Sequence, residues 1–268
     1  MDLPKSQDRT AGAWVALIWL NFSFWIIFTI WTAILALIAI PFHYLFSLVS
    51  GNRRRGDWLI RRIISNYGSA VIHSGWPLVR VKYVDRAPGE KPPFVFVSNH
   101  RSASDAFVMA FIPLECVQML NIWPSRVPLI NYLSRTAGYL RVREMPFDDF
   151  LAQGSRLLSQ GVSIIAFPEG TRSGSKKMGP FHGSAFRLAQ HNGVKICPLA
   201  ISGSENIPRR GSLVMHPGQI VMTKLPAITP EHYHDLTAFA LKNRVRDVIG
   251  RHLESQDLQS PHLEAQPA

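Results

Sequence analysis

The stretch Phe94-Val95-Phe96-Val97-Ser98-Asn99-His100-Arg101-Ser102-Ala103-Ser104-Asp105 begins with four apolar residues and then becomes polar. The apolar run predicts a buried strand, so His100 should lie at the carboxyl end of that strand. Ligands and chemistry collect at this end of the strands in open α/β sheets. An imidazole backed by a carboxylate is the usual device for taking a proton from a hydroxyl group near neutral pH. The stretch therefore predicts a catalytic pair, His100 and Asp105.

The spacing of this pair requires a turn between its members. In a continuous helix, residues five positions apart point about 140° away from each other. Ser102 followed three residues later by Asp105, ahead of the apolar run 106–112, matches a helix capping box. This pattern places Asp105 in the first turn of a helix and His100 just before it. The alternative is that Asp105 only caps the helix and His100 is an ordinary loop histidine.

A second strand-then-loop pattern follows about seventy positions later, in Ser163-Ile164-Ile165-Ala166-Phe167 and Pro168-Glu169-Gly170-Thr171-Arg172-Ser173. Pro168 stops further pairing of the strand, and Gly170 permits a backbone turn that is closed to most residues. Backbone amides, the Thr171 hydroxyl and the Arg172 guanidinium would together suit a phosphate group, which arginine binds through two parallel hydrogen bonds. The loop therefore predicts an anion site, in which Glu169 is expected to pair with Arg172.

Short apolar runs alternate with amphipathic segments along the rest of the chain, which predicts an α/β fold: a mixed, mainly parallel sheet flanked by helices. The predicted strands are 94–98, 116–120, 138–142, 163–167, 196–202 and 219–224. The predicted helices are 105–112, 128–136, 147–160 and 180–192, with a further helix within 231–253.

Several function classes are disfavoured by what the sequence lacks. There is no GxSxG elbow, Walker loop or GxGxxG, which disfavours a serine hydrolase, an NTPase and a dehydrogenase. No Cys/His spacing for zinc and no HExxH occurs, so we predict no metal and no cofactor. The two cysteines, Cys116 and Cys197, each lie in an apolar run, which indicates core packing in a reducing compartment.

The segment from Trp14 to Ile40 is almost wholly apolar and exceeds the about 20 residues that cross a bilayer. The charges before it cancel, while five arginines follow it: Arg53, Arg54, Arg55, Arg61 and Arg62. By the positive-inside rule, the carboxyl-terminal side faces the cytoplasm. We expect residues 1–50 to be a membrane anchor, 51–79 a basic amphipathic connecting helix, and 80–268 the catalytic domain. The alternative is a surface-lying helical pair, since apolar residues of 58–72 share one helical face.

The formal net charge of +11 admits two kinds of partner. A basic protein can bind nucleic acid, but the sequence contains no recognised nucleic-acid motif. Attraction to anionic lipid headgroups explains the same charge together with the apolar segment. We therefore expect membrane lipids, and not nucleic acid, as partners.

The two loops resemble motifs of the glycerolipid acyltransferases typified by 1-acylglycerol-3-phosphate acyltransferase. NHRSASD resembles the His-x4-Asp motif of that family, and FPEGTRS resembles its phosphate-binding motif. A third match is Ile196-Cys197-Pro198-Leu199-Ala200-Ile201-Ser202-Gly203, which resembles the proline-bearing strand that follows in the family. One element departs from the pattern. The family's apolar strand ending in a substrate-binding arginine appears here as Gly138-Tyr139-Leu140-Arg141-Val142-Arg143-Glu144, with one arginine a place early and a second interrupting the strand.

The resemblance implies transfer of a fatty acyl group from a thioester to the hydroxyl of a lysophospholipid, first of all 1-acylglycerol-3-phosphate. His100 would be the general base and Asp105 would orient it. Gly170, Thr171 and Arg172 would hold the acceptor phosphate, with Glu169 ordering the loop and Arg143 a further contact.

The donor would be acyl-CoA or acyl carrier protein, and the sequence does not separate them. Two alternatives stay open for the function itself. One is an acyltransferase for another lysolipid or an amino-acid lipid. The other is a non-catalytic membrane lipid-binding protein.

Overall fold

A computed structural model of the chain describes residues 11–121 and 126–259, and its centre is a seven-stranded sheet. The strands are β1 Val79–Asp85, β2 Phe94–Ser98, β3 Cys116–Leu120, β4 Leu140–Arg141, β5 Ser163–Ala166, β6 Lys195–Ser202 and β7 Gly218–Lys224. Their order in the sheet is β1-β7-β6-β2-β5-β3-β4. The five strands from β6 to β4 run parallel, while β7 is antiparallel to β6 and β1 is parallel to β7. The predicted mixed, mainly parallel sheet is confirmed.

Helices cover both faces of this sheet. Successive side chains of a strand point to opposite faces, and β2 carries apolar side chains at every position from Phe94 to Val97, so each face has apolar surface for helices to cover. The helices are α1 Ala11–Ile34, α2 Ile40–Ser50, α3 Arg53–His73, α4 Ser104–Val108, α5 Pro128–Ala137, α6 Phe147–Ser159, α7 Ser184–Asn192 and α8 Ala238–Gln259. Val95 and Val97 pack with α6, α7 and α8 on one face, whereas Phe94 and Phe96 pack with α1, α3 and α4 on the other. Both faces of β2 are therefore buried, which explains its continuous apolar sequence.

The predicted strands at 94–98 and 116–120 match the structure, and the strand predicted at 138–142 shortens to β4. The prediction of a helix at 105–112 is correct in position, although α4 ends at Val108 and a short 3₁₀ turn follows. Strand β1 was not predicted. Its sequence Val-Arg-Val-Lys-Tyr-Val alternates apolar and charged residues, as an edge strand does, and this alternation was the available signal.

The amino-terminal segment forms a single helical rod, because α1 and α2 are joined by one π-helical stretch, Leu35–Ala39. Within the described residues, Gly12–Ser50 is the one helix long and apolar enough to cross a membrane. The rod touches the rest of the protein at three levels. The Asn21 side chain bonds the backbone of Met215, Thr32 bonds Tyr67, and His43 bonds the backbone of Gly56. Most of the remaining apolar surface of the rod is exposed.

Helix α3 follows a left-handed glycine, Gly51, and packs along α1 and α2. Two of the five arginines that follow the apolar segment form ion pairs within the protein. Arg54 and Arg61 both donate to Glu115, at 2.6 and 2.7 Å, and the Arg61 side chain is buried. Burial of the Glu115 carboxylate opposes its ionisation, but these two arginines outweigh it and lower the pKa of Glu115 below its usual value. The amphipathic helix is thus fixed to the domain by ion pairs.

Candidate active site

His100 and Asp105 come together at the carboxyl end of β2, as the sequence predicts. The Nδ1 atom of His100 lies 2.9 Å from Oδ2 of Asp105, and the Asp105 side chain is fully buried. Since Nδ1 is engaged with the carboxylate, Nε2 is the ring nitrogen that would accept a proton from a substrate. The imidazole ring also stacks on Phe167, with ring centroids 4.4 Å apart. This phenylalanine follows β5, so the two predicted loops meet at the histidine.

The Asp105 carboxylate has a second task at the start of α4. Its Oδ2 atom also accepts the backbone N–H groups of Arg101 and Ser102, at 2.6 and 2.8 Å. The predicted capping box is only half formed, because the Ser102 hydroxyl donates to the carbonyls of Ile207 and Pro208 and not to the helix. The Asp105 carboxylate therefore contacts both the backbone of the turn and the ring of His100.

Buried side chains hold the backbone around His100. Asn99 pairs with the backbone of Ile201 through two 2.8 Å hydrogen bonds, so its amide extends the sheet by one position beyond β2. Arg101 is 1% exposed and forms an ion pair with Glu205. Neither Asn99 nor Arg101 was assigned a role from the sequence. Both are polar residues that directly follow a buried apolar run, and this position was the sequence signal that their side chains could have buried hydrogen-bond partners.

Glu169 ties the second loop to the first. Its Oε1 accepts the backbone N–H of His100 and its Oε2 accepts that of Gly179, both at 2.8 Å. Burial raises the pKa of Glu169 above its usual value, although these two N–H donors favour the charged form. Glu169 thus joins the backbone at His100 to the backbone at Gly179, which is the arrangement that its expected role of ordering the loop requires.

Gly170 has a φ of +69°, the left-handed conformation that the predicted turn needs. A Cβ at this position would lie 3.2 Å from the ring of His182, so a side chain would also require that ring to shift by a few tenths of an ångström. The N–H of Gly170 donates to Phe167 and its carbonyl accepts from the side chain of Asn121. The Gly170 amide is therefore used within the turn and does not point at an anion, which corrects this part of the predicted cradle.

Beside this turn lies a cavity of about 270 Å³ at the carboxyl ends of β3 and β5. Arg143, Asn121 and His182 supply polar lining, and Phe167, which stacks on His100, also lines the cavity. His182 and Asn121 were not predicted. Arg141, in contrast, pairs with Glu144. Of the two arginines that interrupt the expected strand, Arg143 is the one that faces this cavity.

The remaining predicted residues lie on the surface of the same edge. Thr171 is exposed, and Arg172 is half-buried next to it. Ser173, one residue further, donates its N–H to the carbonyl of His100 at 2.8 Å. Among the residues that the structure describes, no group of three or more His, Cys, Asp or Glu side chains could hold a metal ion.

The histidine–aspartate pair lies next to a loop that carries a threonine and an arginine, and together they define an α/β domain with its candidate active site at the carboxyl edge of a parallel sheet. Residues 79–202 match the family model described as Acyltransferase. The matched residues contain both motifs, so the comparison confirms the resemblance to the glycerolipid acyltransferases that the motifs indicated.

Similar proteins support this assignment. The 1-acyl-sn-glycerol-3-phosphate acyltransferase LPAT1 of Arabidopsis thaliana is 28% identical over 183 residues, covering 67% of this chain and 49% of that protein. The human 1-acyl-sn-glycerol-3-phosphate acyltransferase alpha is 31% identical over 162 residues, covering 58% and 56%. The chain thus spans about half the length of these curated relatives.

A solved structure has the same fold. The crystal structure of the 1-acyl-sn-glycerophosphate (LPA) acyltransferase PlsC from Thermotoga maritima matches with a TM-score of 0.72 at 20% identity. The match covers 91% of this chain and 98% of that chain, so it includes most of the described amino-terminal helices.

Proposed function

We propose that this protein transfers a fatty acyl group from an acyl thioester to the free hydroxyl of 1-acylglycerol-3-phosphate, giving phosphatidic acid. The observation that carries the proposal is the 2.9 Å contact between His100 Nδ1 and the buried Asp105 carboxylate. A fixed imidazole with a charged partner suits a general base for a hydroxyl group. The relatives named as 1-acylglycerol-3-phosphate acyltransferases support the choice of acceptor.

The proposed reaction uses the substrate hydroxyl as nucleophile, so no covalent intermediate on the protein is needed. His100 Nε2 takes the hydroxyl proton while the oxygen attacks the thioester carbonyl carbon. Collapse of the tetrahedral intermediate breaks the carbon–sulfur bond, and the leaving thiolate takes the proton back from the imidazolium. Asp105 stabilises the imidazolium between the two proton transfers.

The loop after β5 is the proposed acceptor phosphate site. Thr171 and Arg172 follow the turn that Glu169 ties to His100, so a phosphate bound there would lie near the base. Gly170 contributes the sharp turn, and Arg143 adds positive charge from the neighbouring cavity. The donor would be acyl-CoA or acyl carrier protein, acting as co-substrate without a further cofactor.

We also propose that the helical rod binds the membrane and that the catalytic domain lies on its cytoplasmic face. The contacts of the rod run from Asn21 to His43, a rise of about 33 Å, which is about the thickness of a bilayer core. Asn21 contacts the catalytic domain at Met215, and His43 contacts Gly56 of α3, the helix that Glu115 fixes to that domain. A helix crossing the bilayer would carry these contacts through the whole core, so they favour the surface-lying arrangement. A cysteine at Gly12 should then react with a membrane-impermeant reagent applied from the cytoplasmic side.

Salt extraction tests the membrane contact itself. Salt screens charge attraction but leaves hydrophobic burial in place, so the full chain should stay in the membrane fraction after a high-salt wash. Release by salt alone would mean that arginines hold the protein there and that the rod does not.

The activity is tested with purified protein in detergent, a panel of lysolipid acceptors and both thioester donors, with products measured by mass spectrometry. We expect acylation of 1-acylglycerol-3-phosphate. A second candidate, another lysolipid or an amino-acid lipid as acceptor, is favoured by the departure at Arg141 and Arg143 and would give product only with that acceptor. Absence of any acylated product in a protein that binds lysolipid would support the non-catalytic alternative.

A further inference from the structure

The loop between β6 and β7, residues 203–217, lies at the same edge of the sheet as His100. The Ser102 hydroxyl donates to its carbonyls at Ile207 and Pro208, at 2.9 and 2.8 Å, and Arg101 forms its ion pair with Glu205. The phosphate-motif loop also approaches it, since a Cβ at Gly174 would lie 2.8 Å from the side chain of Arg210. The β6–β7 loop is therefore one rim of the candidate active site.

The far part of the same loop is fixed to the helical rod. The Asn21 amide donates to the carbonyl of Met215 at 2.9 Å and accepts its N–H at 2.8 Å, as a paired strand would. Trp25 donates to the carbonyl of Leu213 at 3.3 Å. These bonds explain why an asparagine occurs within an otherwise apolar segment, and they hold the loop beside the apolar surface of α1.

The tip of the loop combines exposed apolar and exposed basic residues. Leu213 is 71% exposed and Val214 is 43% exposed. Arg209 and Arg210, three or four residues earlier, are also exposed. Ile18, Phe22 and Ile26 continue the apolar surface on α1 next to the contacts at Asn21 and Trp25.

We propose that the loop tip, residues 209–214, is a second membrane contact, distinct from the rod. Leu213 and Val214 enter the headgroup region of the bilayer, and Arg209 and Arg210 bind the phosphates of anionic lipids. The proposal rests on the membrane association proposed above. Because the same loop is a rim of the His100 site, this contact turns that edge of the sheet toward the lipid from which a lysolipid acceptor would enter.

An anionic bilayer fits the tip better than an acidic protein does. Two arginines alone would suit either partner, but the apolar pair is continuous with the apolar surface of α1, where a bilayer is the expected surroundings. Each well-placed arginine contributes about 1 kcal/mol of attraction to an anionic surface, which is roughly fivefold in binding. Loss of both should therefore weaken contact with anionic vesicles by up to about 25-fold.

An environment-sensitive dye on a cysteine tests the contact directly. Dye is attached at L213C in the full chain, after Cys116 and Cys197 are replaced by alanine, and vesicles of phosphatidylcholine with or without phosphatidylglycerol are added. We expect a blue shift that is larger with phosphatidylglycerol and that needs about 25-fold more anionic vesicles in the Arg209→Gln/Arg210→Gln background. Dye at F239C, an exposed apolar position at the start of α8, is the matched control and should not shift.

A charge-matched control removes two other cations. Arg86→Gln/Lys91→Gln lies at the opposite edge of the sheet, after β1 and before β2, and should leave the shift at position 213 unchanged. Flotation of the unlabelled chain with vesicles is measured in parallel, because it reports the rod. A chain that floats while dye at position 213 stays unshifted overturns the loop contact and leaves the rod proposal intact. A shift caused by acyl carrier protein and not by vesicles would make the tip a protein-binding surface and also overturn the proposal.

Discussion

The two loops that meet at His100 are built in opposite ways. In the loop after β2, Asn99, Arg101 and Ser102 are buried and bonded to distant parts of the chain, and the buried Asp105 accepts hydrogen bonds within the loop itself. In the loop after β5, Glu169 is buried, whereas Thr171 and the residues near Lys177 are exposed. The comparison indicates a division of roles between the two loops. The loop after β2 holds His100 in one position, whereas the loop after β5 has exposed side chains that can adjust to a ligand.

The sharpest test of this division is His100→Ala. Loss of a general base lowers turnover by about 10²- to 10⁴-fold. Its neighbours are held by Asn99, Arg101 and Ser102, so the melting temperature should change little. Near-normal turnover in a folded variant would show that the rigid loop does not carry the chemistry.

Asp105→Asn should follow, with a loss of turnover between about tenfold and 10⁴-fold, because the imidazolium loses its charged partner. The variant also places a buried amide where the carboxylate accepted Nδ1 and two backbone N–H groups, at a cost of about 1–3 kcal/mol in the free energy of unfolding. Turnover and thermal unfolding are measured on the same preparation. A stability loss with full turnover would leave Asp105 with the capping role only.

Glu169→Gln probes the joint between the loops and should lower turnover about tenfold. A glutamine has one acceptor oxygen where the carboxylate has two, so it can accept only one of the His100 and Gly179 N–H groups. The unpaired N–H costs about 1–3 kcal/mol and loosens the backbone that joins the two loops. The contribution of Glu169 to the free energy of unfolding also depends on pH, and its sign follows from the raised pKa. Because the folded pKa of Glu169 is raised, the folded state binds more protons than the unfolded state, so this group's contribution to stability falls as pH rises from 4.5 through the raised value.

The melting temperature of Glu169→Gln relative to the unmodified protein should therefore improve as pH rises across that range. Glu254→Gln, on an exposed position of α8, is the control for loss of one negative charge. An unchanged difference between pH 4 and pH 7 would contradict the assignment of the raised pKa.

The sequence predicted the strands and the helix–loop order because apolar runs and turn residues are local signals. It predicted His100 and Asp105 as a pair because they are five residues apart. It could not predict what fixes them, since Asn99 bonds a residue 102 positions away and Arg101 one that is 104 positions away. The same reason applies to the hydrogen bond between Glu169 and the backbone N–H of His100, which lies 69 positions earlier.

Sheet edges show the same limit. Strand β1 pairs with β7, and the register joins Val79 to Gly218. No local sequence signal indicates a pairing between strands so far apart in the chain. The alternating segment Val79–Asp85, which follows a helix, was therefore not predicted as a strand. Likewise, the sequence shows Arg54 and Arg61 as part of a basic cluster after the apolar segment. Their ion pairs with Glu115, more than fifty positions later, form only in the folded protein.

The smallest expected effect belongs to the adaptable loop. If Arg172 binds the acceptor phosphate while His100 moves the proton, Arg172→Lys keeps the charge but loses the two parallel hydrogen bonds. The Michaelis constant for the acceptor should rise about five- to tenfold, while that for the thioester donor and the turnover number change little. Arg135→Lys, on the exposed side of α5, is the control for the same exchange. An unchanged acceptor constant with the best lysolipid would place the phosphate elsewhere on this edge, and Arg143, which faces the neighbouring cavity, would be tested next.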